Sequence, residues 1–150
     1  MEHSHYGKLA AMAGLSFAAM YMLMYAMVDS FGHVYNNFNQ VYMAGLMAAP
    51  MVVIELVLMS GMYTNRRLNV ILIAGSLALG ILCFALIRRQ VAISDPQFLR
   101  SMIPHHAGAI LMCEEAALKD QRIIDLCRGI VASQAAEIDQ MKRLLAEQSR

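Results

Sequence analysis

Apolar residues do not spread evenly along this chain. They fall into three nearly unbroken blocks, followed by a periodic pattern. The blocks are LAAMAGLSFAAMYMLMYAMV (Leu9 to Val28), VYMAGLMAAPMVVIELVLMSGMY (Val41 to Tyr63) and LNVILIAGSLALGILCFALI (Leu68 to Ile87). The first and third carry no charge, and the second carries only Glu55. A hydrocarbon core about 30 Å thick is crossed by about 20 helical residues, so each block predicts a transmembrane helix. The first block is longer than a signal-peptide core and leads straight into a second span, which makes it a retained anchor.

Beyond Arg89 the pattern becomes helical. Ser94-Asp95-Pro96 is a helix start, with Ser94 or Asp95 as the cap, Pro96 in the first turn and Gln97 at the capping-box position. Leu99, Met102, Ile103, Ala109, Ile110 and Cys113 then recur at the spacing of one helix face. After a break near Lys119-Asp120-Gln121, with Asp120 as the next cap, a second helix shows Ile124, Cys127, Val131, Ile138, Met141 and Leu145. So short a connection predicts antiparallel neighbours. No segment alternates as a strand would. The expectation is an all-α protein: a membrane region over 1–89, with spans near 9–28, 41–63 and 68–87, and a helical hairpin domain over 94–150.

Composition agrees with a membrane protein. Hydrophobic residues make up 59% and charged residues 15%, against roughly 45–50% and about 25% in ordinary soluble domains. The net charge of +1 provides no basic field for nucleic acid. The loop Asp29 to Gln40 has no Lys or Arg, whereas Lys8, Arg66 and Arg67 flank the other ends of the spans. Basic residues favour the cytoplasmic side, so this count puts the carboxy-terminal hairpin on the outer (periplasmic) side of a bacterial-type cytoplasmic membrane. Arg88 and Arg89 pull the other way. No nucleophile-and-base arrangement or nucleotide motif is visible, so no enzyme is expected.

The chemistry concentrates in SMIPHHAGAILMCEEA, Ser101 to Ala116. With the hairpin turn near Lys119 and Asp120, equal rise along both helices sets Cys113 level with Cys127 and His106 level with Gln134. Met102 falls level with Glu137, with Met141 a turn beyond, and His105 and Met112 share a neighbouring stripe. His105, His106, Met102, Met112, Met141, Glu137, Cys113 and Cys127 are therefore the candidate metal donors. Thioether and thiolate are soft ligands that suit copper(I), and imidazole is compatible with it. Pro104 leaves the carbonyl of Arg100 without its helical donor. A di-iron carboxylate site would want Glu-x-x-His motifs in the hairpin, which has none.

Plainer readings stand beside these. Methionines fill gaps in cores, His106 can donate to Gln134 or Glu137, and Cys113 and Cys127 can form a disulfide if their Cα atoms lie within about 7 Å. In the second span, Met43, Met47, Met51, Glu55 and Met59 recur every four residues. They are read as packing between spans, with Pro50 as a kink and Glu55 in a helix-to-helix hydrogen bond, in preference to an ion path.

The run FLRSMIPHHAGAILMCEEA followed by IVASQAAEIDQMKRLL resembles the domain of unknown function 305 family. The matching residues are Met102, Ile103, His105, His106, Ala109, Ile110 and Met112, then Gln134, Glu137, Ile138 and Met141. Three spans with MYTNRRLN before the last also resemble a membrane-anchored subgroup. The resemblance implies a ferritin-like helical fold and copper or silver binding through His and Met, linked to copper tolerance. Many members carry the motif twice, and this chain carries it once. A hairpin alone cannot enclose its seam, so a homo-oligomer is expected, most simply a dimer completing a ferritin-like four-helix bundle. The other solution is that the hairpin lies on its own spans. The expected function is that of a membrane-anchored metal-binding protein for copper(I) or a similar soft ion. The alternative is a non-catalytic structural or interaction module whose histidines only hydrogen-bond.

Overall fold

A computed structural model describes residues 2–148, with side chains over 5–148. Every element among them is helical. The order is α1 (Glu2–Leu23), two 3₁₀ turns (Met24–Met27 and Phe31–His33), α2 (Phe38–Leu58), α3 (Arg66–Arg89), α4 (Asp95–Glu115) and α5 (Gln121–Glu147). Three stretches are long and apolar enough to cross a membrane: His5–Met27, Phe38–Leu58 and Arg66–Arg89. The second stops short of the expected Tyr63. Its last helical bond runs from Met59 N–H to Glu55 O, and the chain then turns through Ser60 and Gly61. Apolarity continues past the point where the backbone stays helical. Residues 1, 149 and 150, the outer limits of the two expected regions, lie outside the described residues.

The chain divides into two compact units. The first joins the chain up to Leu23 with Asn39–Val91, and so contains α1, α2 and α3. Its inner face on α2 is made of small residues: Ala44, Gly45, Ala48 and Ala49 are all buried. A Cβ on Gly45 would stand 2.9 Å from Cys83 Sγ, and one on Gly80 would stand 3.6 Å from Ala49 Cβ. Close backbone approach through small residues is the packing that suits helices in lipid, where burying apolar groups against each other would gain little. Of the methionines in the four-residue row, Met43, Met47 and Met59 are exposed and Met51 is half-buried, so most of the row does not pack between the spans of this chain. Glu55 also differs from expectation. Its Oε1 accepts a hydrogen bond from Tyr63 Oη at 3.2 Å, so its partner comes from the turn after its own helix.

The second unit joins Met24–Phe38 to the chain from Ala92 onward. Here α4 and α5 form the expected hairpin around Leu99, Ile103, Ala107, Ile110, Ile138 and Met141. Asp120 caps α5 by accepting from Arg122 N–H at 2.9 Å. Ser94 precedes α4, but Gln97 does not complete a capping box. Its Oε1 accepts instead from the backbone N–H of Phe38, the first residue of α2, at 3.0 Å. Val28 and Tyr35, from the segment between α1 and α2, pack against the hairpin core. Part of the seam is thus covered by a loop of the same chain.

Candidate metal centre

Pro104 sits inside α4 without breaking it. The carbonyl it leaves unpaired, that of Arg100, accepts a long hydrogen bond from Asn37 Nδ2 at 3.5 Å, and the same amide donates to Tyr35 O at 3.0 Å. Asn37 is only 4% exposed, so this buried amide ties the loop to the proline turn. One turn further along, a Cβ on Gly108 would meet the carbonyl oxygen of Met27 at 3.3 Å. A side chain here would require the Met27 carbonyl to give by a few tenths of an ångström.

Between these two attachments stand the paired histidines. His106 is 7% exposed. Its Nδ1–H donates to the carbonyl of Met102 at 2.9 Å, one turn back on the same helix. Its Nε2 lies 2.7 Å from Glu137 Oε2. The carbonyl can only accept, so Nδ1 carries a proton. Nε2 and the carboxylate oxygen are within hydrogen-bond distance of each other. The Glu137 side chain is 52% exposed, so one side of the pair is buried and the other reaches water.

The register is displaced slightly from expectation: His106 meets Glu137, almost one turn beyond Gln134. Met102 and Met141 both belong to the core beside it, Met102 half-buried and Met141 buried. His105 points the other way. A one-residue step rotates a helix by about 100°, which leaves His105 exposed with its ring centroid 6.0 Å from that of His106. Met112 is exposed on the same outward stripe, and Met27 adjoins that stripe at Gly108.

Cys113 and Cys127 are joined to each other as a disulfide, with Cα atoms 5.3 Å apart. The bond takes both thiolates out of the donor set, for the geometric reason that made them level in the hairpin. Among the described residues no three His, Cys, Asp or Glu side chains converge as a metal group. The donors that do meet are one imidazole and one carboxylate, beside two thioethers in the same core. Sequence reasoning missed Asn37, Met27 and Gln97. The orphan carbonyl at Arg100 signalled that a donor was required, but not where it would come from. His33, also in the loop, holds Asp29 Oδ1 at 2.5 Å through Nδ1.

Residues 55–145 match the family model described as Domain of unknown function (DUF305), which takes in the end of α2, all of α3 and α4, and most of α5. Over 135 residues the chain is 34% identical to "Uncharacterized protein L153" of Acanthamoeba polyphaga mimivirus, covering 88% of this chain and 87% of that protein. No solved structure matches.

The two histidines differ in what they do for folding, and stability measurements will register this. His106→Ala removes a buried, doubly bonded ring and is expected to cost about 2–3 kcal/mol. His105→Ala is expected to stay within about 0.5 kcal/mol of the parent, as exposed substitutions do. Thermal or denaturant unfolding in mild detergent checks both, and equal losses would contradict the assignment.

Proposed function

The chain belongs to the domain of unknown function 305 family, and from that premise we propose a membrane-anchored binder of copper(I) or a similar soft ion, serving metal homeostasis or tolerance. The observation that carries this reading is the setting of His106. Its Nδ1–H is committed to the Met102 carbonyl, so Nε2 is the nitrogen available to an ion. Metal-binding histidines are commonly oriented in this way, with the second nitrogen donating to a carbonyl or carboxylate. A cation at Nε2 would displace any proton shared with Glu137, and the carboxylate would remain to balance its charge. Met102 and Met141 supply thioethers nearby, the donor type that distinguishes copper(I) from hard cations. His105 and Met112 offer further soft donors on the exposed side of α4, where an ion would arrive.

A second reading has its own observation. Both nitrogens of His106 are already satisfied by protein groups. On that reading the hairpin is a non-catalytic helical interaction module, and the histidine–glutamate pair fastens its two helices. Copper(I) affinity of the purified protein separates the two. The His105→Ala/His106→Ala variant is expected to lose at least about tenfold, Met102→Leu or Met141→Leu less, with silver competing well and zinc poorly. Equal affinity in parent and double variant would establish the interaction-module reading instead.

We further propose that the hairpin lies on the outer side of a cytoplasmic-type membrane. Lys8, Arg66 and Arg67 favour this by the distribution of basic residues. The Cys113–Cys127 disulfide supports it, since such bonds persist in oxidising compartments. A periplasm-dependent reporter fused after Arg150 should be active. Activity only from a cytoplasm-dependent reporter would reverse the topology.

A homodimer about a two-fold axis belongs to the same proposal, with two hairpins completing a four-helix, ferritin-like bundle. Leu126 and Leu144 are both exposed and fall on one stripe of α5, a surface such a bundle would cover. Native mass spectrometry from mild detergent should find the dimer, and a strictly monomeric protein would refute it.

A further inference from the structure

At the end of the hairpin away from the disulfide, the second unit contains an open cavity of about 590 Å³. The loop contributes Val34, Tyr35 and Asn36 to its lining, α4 contributes Arg100, and α5 contributes Lys142 and Leu145. No acidic residue lines it. The ion pairs among the described residues use His33, His106, Arg122 and Arg128, so neither Arg100 nor Lys142 is neutralised by a carboxylate. Two like charges bordering one cavity repel each other, and an anion between them would reverse the sign of that interaction. The remaining lining is apolar, amide or phenolic. The chemistry therefore fits a phosphate attached to something greasy.

Chain connectivity says where such a ligand would come from. Asn36 stands two residues before the first residue of α2, a candidate span. Arg100 lies in the second turn of α4, shortly after α3 ends at Arg89. Cavity residues thus flank the points where the chain enters and leaves its spans. Phe31, in the same loop, is 98% exposed, and Phe98, two residues before Arg100, is exposed as well. Exposed phenylalanine rings beside basic side chains suit the boundary between headgroups and acyl chains of a bilayer. We propose that Arg100 and Lys142 hold the phosphate of an anionic phospholipid headgroup from the surrounding membrane.

The idea is independent of metal binding and is tested on the full chain in detergent. Native mass spectrometry with equimolar phosphatidylglycerol and phosphatidylcholine should find the parent retaining the anionic lipid preferentially. Arg100→Gln/Lys142→Gln should reduce that preference about thirtyfold, the factor for two basic side chains near an anionic surface. Arg122→Gln/Arg128→Gln, which removes two exposed charges already paired with aspartates near the start of α5, should leave it unchanged. An undiminished preference in the first variant, or an equal loss in the second, overturns the site. Inorganic phosphate displacing the lipid at comparable concentration would make it a free-anion site and overturn the lipid assignment. A salt series on the parent protects the test against a misfolded variant. The preference should fall steeply between about 0.05 and 0.5 M salt, and a flat response also overturns the proposal.

Discussion

Pro104 withdraws one backbone donor from the middle of α4, and much of the second unit is arranged around what replaces it. The replacement is Asn37, whose buried amide reaches the Arg100 carbonyl while holding Tyr35 O. The bond gives that carbonyl a partner in place of its lost helical donor, a gain on the order of 1 kcal/mol, and so favours the loop lying against the helix. Gly108 then permits contact at the next turn, where the Met27 carbonyl comes within 3.3 Å of a Cβ position. Between those two fastenings Val28 and Tyr35 settle on the hairpin core. A loop that polarity alone would leave in solvent becomes a third layer of the domain.

That layer marks the limit of what could be read in advance. Block length predicts three spans because the physics is one-dimensional: enough apolar residues in a row reach across the bilayer. The hairpin register was legible for a similar reason, since rise per residue is constant and puts Cys113 beside Cys127. The same arithmetic is off by most of a turn at His106, which bonds Glu137 and not the Gln134 that equal rise sets level with it. Asn37 and Gln97 were illegible altogether. Each bonds a residue about sixty positions away, and no local period records such a pairing. Tyr63, reaching Glu55 from the turn after α2, was illegible for a different reason: the apolar run outlasts the helix.

The adjacent histidines show how little separates a structural group from an exposed one. One step along the helix moves the imidazole from the core to the surface, so His106 acquires fixed partners and His105 acquires none of that kind. Under the metal reading, the exposed ring would meet the ion first and the buried ring would bind it at the expense of its contact with Glu137. The disulfide beyond them contributes rigidity in place of ligands. It ties the end of α4 to the start of α5, so the side chains further down the hairpin are held in register by a covalent bond.

The composition of the second unit also constrains the membrane crossings. Met24–Phe38 and the chain from Ala92 onward pack into one compact body, yet α2 and α3 lie between them in sequence. Segments that pack together must sit on the same side of a bilayer. The chain between them must therefore cross an even number of times: twice if both helices span, and not at all if neither does. A topology in which only one of α2 and α3 crossed would put Asn37 and Arg100 on opposite faces and break the bond that anchors the loop. Both helices are long and apolar enough to span, and two crossings would be compatible with the packing of the second unit. The polar contact at Pro104 and the apolar runs on either side of it are in that sense one constraint, read once from the domain and once from the membrane.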